Sequence, residues 1–156
     1  MDFLLNRTTA EDEHFQELVK ELDYELWVEL KEDQATYDQF NIVANIPTAV
    51  IAYNNDEPVA CGCFKKFDGK TVEIKRMFVR KNHRGRGLSK KILAELEQWA
   101  REQNYKYAVL ETSMHFEAAC NLYSSSGYEI ISNYGPYADL PESVCMKKQL
   151  ITGDLT

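Results

Sequence analysis

Between Arg80 and Lys91 the chain reads Arg-Lys-Asn-His-Arg-Gly-Arg-Gly-Leu-Ser-Lys-Lys. Cationic side chains around two closely spaced glycines suit the binding of a compact anion. Gly85 and Gly87 lack a Cβ, so their backbone can approach a ligand closely and take positive φ where a turn needs it. If a helix starts directly after them, its first N–H groups have no intrahelical partner, and its dipole adds about half a positive charge. A lone Gly-x-Gly equally suits a surface turn that only ends a strand, so its surroundings must decide. The other reactive side chains point elsewhere. Cys61, Cys63, Cys120 and Cys145 have neither paired metal-ligand spacing nor a redox Cys-x-x-Cys. Cys61 and Cys63 sit two apart on an expected strand and read as small core hydrophobes. His83 and His115 read as surface histidines, and no pattern has the spacing of a metal site.

The flanking elements can present such a turn. Thr71 to Val79 reads as a strand. Leu88 to Gln103 reads as an amphipathic helix, with Leu88, Ile92, Leu93, Leu96, Trp99 and Ala100 on one face. Lys106 to Thr112 reads as a buried strand parallel to the first. Thr71 to Thr112 is then a β-turn-α-β unit, whose ligand belongs at the carboxyl ends of its strands. Upstream, Phe3 to Arg7 is a first strand, and Thr8 with Glu11 predicts a capping box. Helix follows from about Ala10 to Leu30, with a further short helix at Gln34 to Phe40. Thr48 to Tyr53 and Pro58 to Phe67 form a hairpin, and Asp68-Gly69-Lys70 is a second hairpin turn. Downstream come a helix at Phe116 to Ser125 and strands at Gly127 to Ser132 and Val144 to Leu150. Between those strands, Asn133 to Ser143 is a loop long enough to contact a substrate.

The totals fit one domain spanning residues 1–156. The first residues carry too short an apolar run for a signal peptide and no segment is long enough to cross a membrane, so a cytoplasmic placement is expected. Net charge is −7, but it is unevenly spread. Lys75 to Lys91 holds eight basic residues and no acidic one, which leaves ten Lys and Arg against 25 Asp and Glu elsewhere. A nucleic acid would meet that acidic remainder, so a small polyanion fits better, and a cationic co-substrate is mildly favoured.

Three segments in order resemble the GNAT superfamily of acyl-coenzyme A N-acetyltransferases. Arg84-Gly85-Arg86-Gly87-Leu88-Ser89 is similar to its pyrophosphate loop, with Ser where Gly or Ala is usual. Met77-Phe78-Val79 resembles the strand end whose main chain pairs with the pantetheine arm. Ala119-Cys120-Asn121-Leu122-Tyr123-Ser124-Ser125-Ser126-Gly127-Tyr128 resembles its Ala-x-x-Leu-Tyr-x-x-x-Gly-Phe/Tyr segment. The resemblance implies an α/β (α+β) fold: a mixed, mostly antiparallel, twisted sheet of about six to seven strands flanked by about four helices. Many members carry Asn seven residues before the Tyr; here Phe116 stands there, so that cofactor contact does not transfer.

What the resemblance implies chemically is direct acetyl transfer from acetyl-CoA to a primary amine of a small molecule or peptide. Such a reaction needs a base for the ammonium, because an alkylammonium holds its proton to about pH ~10. Glu73 and Glu111 resemble base positions of different family branches; either could instead be a solvated or paired strand charge. Tyr123 resembles the general acid for the thiolate. Backbone N–H near Phe78 or Val79 would polarise the carbonyl, while Arg84, Arg86 and Lys90 would supplement the turn toward phosphate. A non-catalytic acyl-CoA-binding module is the alternative. The sequence leaves a homodimer open and names no acceptor.

Overall fold

The computed structural model describes residues 3–30 and 45–151; the short helix expected at Gln34 to Phe40 lies outside them. Elements run β1 (Leu4–Thr8), α1 (Glu13–Leu30), β2 (Ala49–Asn54), β3 (Glu57–Lys66), β4 (Thr71–Val79), α2 (Leu88–Glu102), β5 (Tyr107–Ser113), α3 (Glu117–Ser125), β6 (Glu129–Ile131) and β7 (Ser143–Gln149). The strands make a seven-stranded sheet in the order β1-β2-β3-β4-β5-β7-β6. Pairing is antiparallel for β1–β2, β2–β3, β5–β7 and β6–β7, and parallel for β4–β5. The mixed sheet and the β4-α2-β5 crossover are as expected, with three α-helices among the described residues.

The chain divides into two units. Residues 1–65 with 75–96 form the first; 66–74 with 97–156 form the second. In the first, Phe15 and Leu18 of α1 are fully buried against Ala49, Ile51, Cys61, Cys63 and Phe78. Cys61 and Cys63 are thus core residues, and burial pushes the Cys61 thiol well up, away from thiolate reactivity. The start of α1 departs from the capping-box expectation. Thr8 is the last residue of β1, and Asp12 is the cap, its Oδ1 accepting from the N–H groups of His14 (2.8 Å) and Phe15 (3.4 Å). Thr8 instead donates its hydroxyl to Asp12 (2.9 Å). With Thr8 held in the strand, the helix starts about one turn later, and a carboxylate beside its positive end suits the first-turn amides.

Also in the first unit, α2 approaches β3 at Gly62. A Cβ there would lie 2.5 Å from Met77 Sδ and 2.9 Å from Ile92 Cγ2. In the second unit, β5 pairs along its full length with β7, from Tyr107↔Gln149 to Ser113↔Ser143. Its ladder with β4 covers Thr71↔Tyr107 to Glu73↔Val109 and ends there.

Candidate active site

The glycine turn grows from the end of β4. Arg80 N–H donates to the Val59 carbonyl (2.8 Å), tying the strand's exit to β3, and a 3-10 turn at Lys81–His83 follows. Gly85 and Gly87 take φ of +80° and +77°, left-handed values costly for side-chain-bearing residues. A Cβ at either position would meet no atom within 4 Å. The glycines are therefore demanded by backbone conformation and not by internal packing, and a ligand can approach the main chain there. Gly87 begins α2: its carbonyl accepts from Lys91 N–H (3.2 Å). The N–H groups of Leu88, Ser89 and Lys90 are left without intrahelical partners, the arrangement that favours phosphate.

The arginines do more than their number suggests. Arg84 donates Nε to the Val79 carbonyl (2.8 Å) and Nη2 to Glu25 (2.7 and 2.9 Å), with its guanidinium 5.8 Å from the Phe78 ring centre. Arg80 meets Glu21 (2.5 Å), Glu17 (3.2 Å) and the Pro58 carbonyl (2.7 Å). Arg76, in a left-handed bend of β4 at φ +59°, pairs with Asp23. Glu17, Glu21 and Glu25 recur every fourth residue, so one face of α1 carries the acids. Sequence reasoning missed this, although the four-residue acid repeat was its visible signal. Part of the acidity that composition offers to a cationic partner is taken up here.

The acid–base candidates all belong to the second unit. Glu73 pairs in register with Val109, and Glu111 lies two residues further along β5. Side chains alternate faces along a strand, so both carboxylates project from the same sheet face. Glu73 is buried, 4% exposed, and accepts the Tyr134 hydroxyl at 2.7 Å. Glu111 is half-buried and accepts the Ser143 hydroxyl at 2.8 Å. Tyr134 comes from the loop after β6 and Ser143 from its far end, where β7 begins, and neither was singled out as a site residue from sequence. Burial first, then the Glu73 carboxylate, pushes the Tyr134 hydroxyl far up, so it remains a protonated donor. Among the described residues, no group of three His, Cys, Asp or Glu could hold a metal ion.

Tyr123 is placed by the end of α3. Gly127 takes φ +97°; its N–H donates to the Ser124 carbonyl (3.2 Å), and Tyr128 N–H donates to the Tyr123 carbonyl (3.0 Å). This is a Schellman cap, and it explains the spacing of the Leu-Tyr-x-x-x-Gly-Tyr segment. The Gly must sit left-handed at the first position past the helix, and the two flanking aromatics must meet. Their rings do, edge to face at 5.9 Å. Tyr123 is buried; burial, then Cys120 and Glu111, pushes its hydroxyl well above the usual phenol range.

A mixed sheet, a β-α-β crossover opening on a glycine turn, and a capped Tyr segment define an acyl-CoA-transferase-type fold. The model of the GNAT acetyltransferase family matches residues 12–128, and the chain belongs to that family. It is 34% identical over 101 residues to the uncharacterized N-acetyltransferase YsnE of Bacillus subtilis, covering 64% of this chain and 67% of that protein. It is 30% identical over 102 residues to the IAA acetyltransferase of Azospirillum brasilense, covering 65% and 67%. Among solved structures, a GNAT family acetyltransferase from Elizabethkingia anophelis, with acetyl-CoA bound, shares the fold at a TM-score of 0.69 and 18% identity, covering 94% of this chain and 97% of that one.

Proposed function

We propose that the chain moves the acetyl group of acetyl-CoA directly to a primary amine of a small molecule or peptide. The observation that carries this reading is the turn at Gly85 and Gly87, left-handed and approachable, which leads into the first-turn amides of Leu88, Ser89 and Lys90, to which the helix itself offers no acceptor. Those amides suit the pyrophosphate, with Arg86 and Lys90 adding charge and Arg84 holding the turn to the Val79 carbonyl. Main-chain groups of Met77, Phe78 and Val79 would pair with the pantetheine arm, as the family's pattern implies. The acetyl-CoA bound by the Elizabethkingia protein supports the same cofactor here. Pairing of Arg76, Arg80 and Arg84 with acids of α1 supports a small anion over a nucleic acid.

Bound acetyl-CoA supplies an activated acetyl thioester whose leaving group is a thiolate. Glu73 or Glu111 takes the proton lost by the amine as nitrogen bonds to the acetyl carbon and the carbon–sulfur bond breaks. By the family's pattern, the Tyr123 hydroxyl would serve the departing sulfur. A thiol titrates near ~8.5, and Tyr123 holds its proton more tightly than that. It therefore acts as a hydrogen-bond donor that stabilises the thiolate while keeping its own proton. Isothermal titration tests the cofactor half: acetyl-CoA binds the native protein, and Gly87→Val weakens binding at least about tenfold because Val resists positive φ. Equal affinity in the variant would remove the turn from the account.

A further inference from the structure

We infer that the Asn133–Ser143 loop is one positioning device for both carboxylates, with Tyr134 setting Glu73 and Ser143 setting Glu111. The inference rests on the acetyl-transfer reading. One hydroxyl inside the loop and one at its junction with β7 reach two carboxylates on different strands, at 2.7 and 2.8 Å. The ends of the loop are pinned together. Asn133 Nδ2 donates to the carbonyls of Leu140 (3.1 Å) and Ser143 (3.0 Å), and Ser143 N–H donates to the Leu140 carbonyl (3.0 Å). Asn133 is the neighbour of Tyr134, so its amide links the two hydroxyl donors through a few covalent bonds. A second tie joins the loop to the end of β5, where Met114 N–H donates to the Glu142 carbonyl (2.9 Å). The Tyr134 ring is not free to turn away. Phe67 meets it edge-on at 4.9 Å and Tyr137, itself buried, at 5.7 Å.

A hydroxyl on a buried carboxylate satisfies a group that would otherwise be costly to bury, and it fixes the carboxylate's rotamer. Because Asn133 pins the start of the loop to Ser143 at the head of β7, displacement of the loop disturbs both hydroxyl donors together. Tyr134 and Ser143 are positioning residues here, each acting through its own glutamate, and Asn133 sets the spacing between them.

Double-mutant kinetics separate this from a general structural role. The assay uses acetyl-CoA with whichever amine of a panel (spermidine, an aminoglycoside, a short peptide) releases thiol fastest. Tyr134→Phe is expected to lower kcat about tenfold, the size of one charge-assisted hydrogen bond, with KM for acetyl-CoA within about twofold. On the Glu73→Gln protein the same change adds no further loss; on Glu111→Gln it costs its full factor. Ser143→Ala lowers kcat only as far as Glu111→Gln does, and Ser143→Thr restores the rate. A Tyr134→Phe loss as large on Glu73→Gln as on the native protein would overturn the inference. If no amine releases thiol, the acetyl-transfer reading fails, and hydrogen exchange decides the positioning claim alone. Glu73→Gln and Glu111→Gln, which weaken the tethers from the strand side, then speed exchange at the Leu140 and Ser143 amides several-fold; unchanged exchange overturns it.

Discussion

Tyr123 owes its place to a helix end, and that is why it could be read in the sequence. The residues that fix it, Ser124, Gly127 and Tyr128, lie within five positions, so the spacing alone encodes the cap. Tyr134 and Ser143 are the opposite case. Their carboxylates lie 61 and 32 residues away, and no local pattern marks a loop tyrosine or serine as a partner of either. Tyr123→Phe keeps the ring contact with Tyr128 and the backbone cap while removing the hydroxyl. Steady-state kinetics should give a kcat about a hundredfold lower, with acetyl-CoA affinity from titration within about twofold. An unchanged kcat would remove Tyr123 as the thiolate's donor.

The elements α1 and β4 are joined by charge as well as by the apolar core of Phe15, Leu18 and Phe78. Arg76 is the costly member, with a side chain 3% exposed beside Asp23. Losing that carboxylate strands a buried guanidinium, so Asp23→Asn should destabilise by about 2–3 kcal/mol. The Arg84–Glu25 pair is nearly half exposed on both sides, so Glu25→Gln should cost under about 1 kcal/mol. Denaturant unfolding of the two variants checks the order; equal losses would contradict it. Packing gives a second test. Gly62→Ala places a methyl against Met77, Ile92 and Leu96, and overpacking of this kind costs about 1–3 kcal/mol. Element types and order were legible because helical and alternating apolar periods are local. The helix cap was not: Thr8 ends β1, and the helix starts about one turn later, behind Asp12.

Among the described residues, buried phenols and the buried Cys61 thiol set the alkaline behaviour. Burial leads the upward push on Tyr123, Tyr128 and Tyr134, joined by Glu97 at Tyr128 and Glu73 at Tyr134. In the unfolded chain a tyrosine titrates near ~10. Below that pH both states keep the proton and the folded state loses nothing. Above it the unfolded chain releases protons that the folded chain retains, so stability falls as pH rises toward the folded values. The loss is up to about 1.4 kcal/mol per pH unit for each tyrosine. Unfolded thiols ionise near ~8.5 while burial keeps Cys61 protonated, so thermal melts should hold steady from pH 7 to about 8, begin to fall above about 8.5 and fall more steeply above about 10. Tyr128→Phe should make that decline shallower, and an identical decline would contradict the assignment. At this scale the sequence conveyed the fold class and the family. It also misled: part of the acidic surplus belongs to the arginines of β4 and the turn following it, a pairing that only the fold brings about.

Whether acetyl is transferred is decided by product analysis. The native protein is mixed with acetyl-CoA and the amine panel, and released thiol and acetylated amine are quantified together by absorbance and mass. The account predicts at least one amine that gains one acetyl group per thiol released, at a rate cut about a hundredfold by Tyr123→Phe. Tight acetyl-CoA binding with no acetylated amine, and no thiol above the uncatalysed rate, would contradict it and leave a module that binds the cofactor without using it.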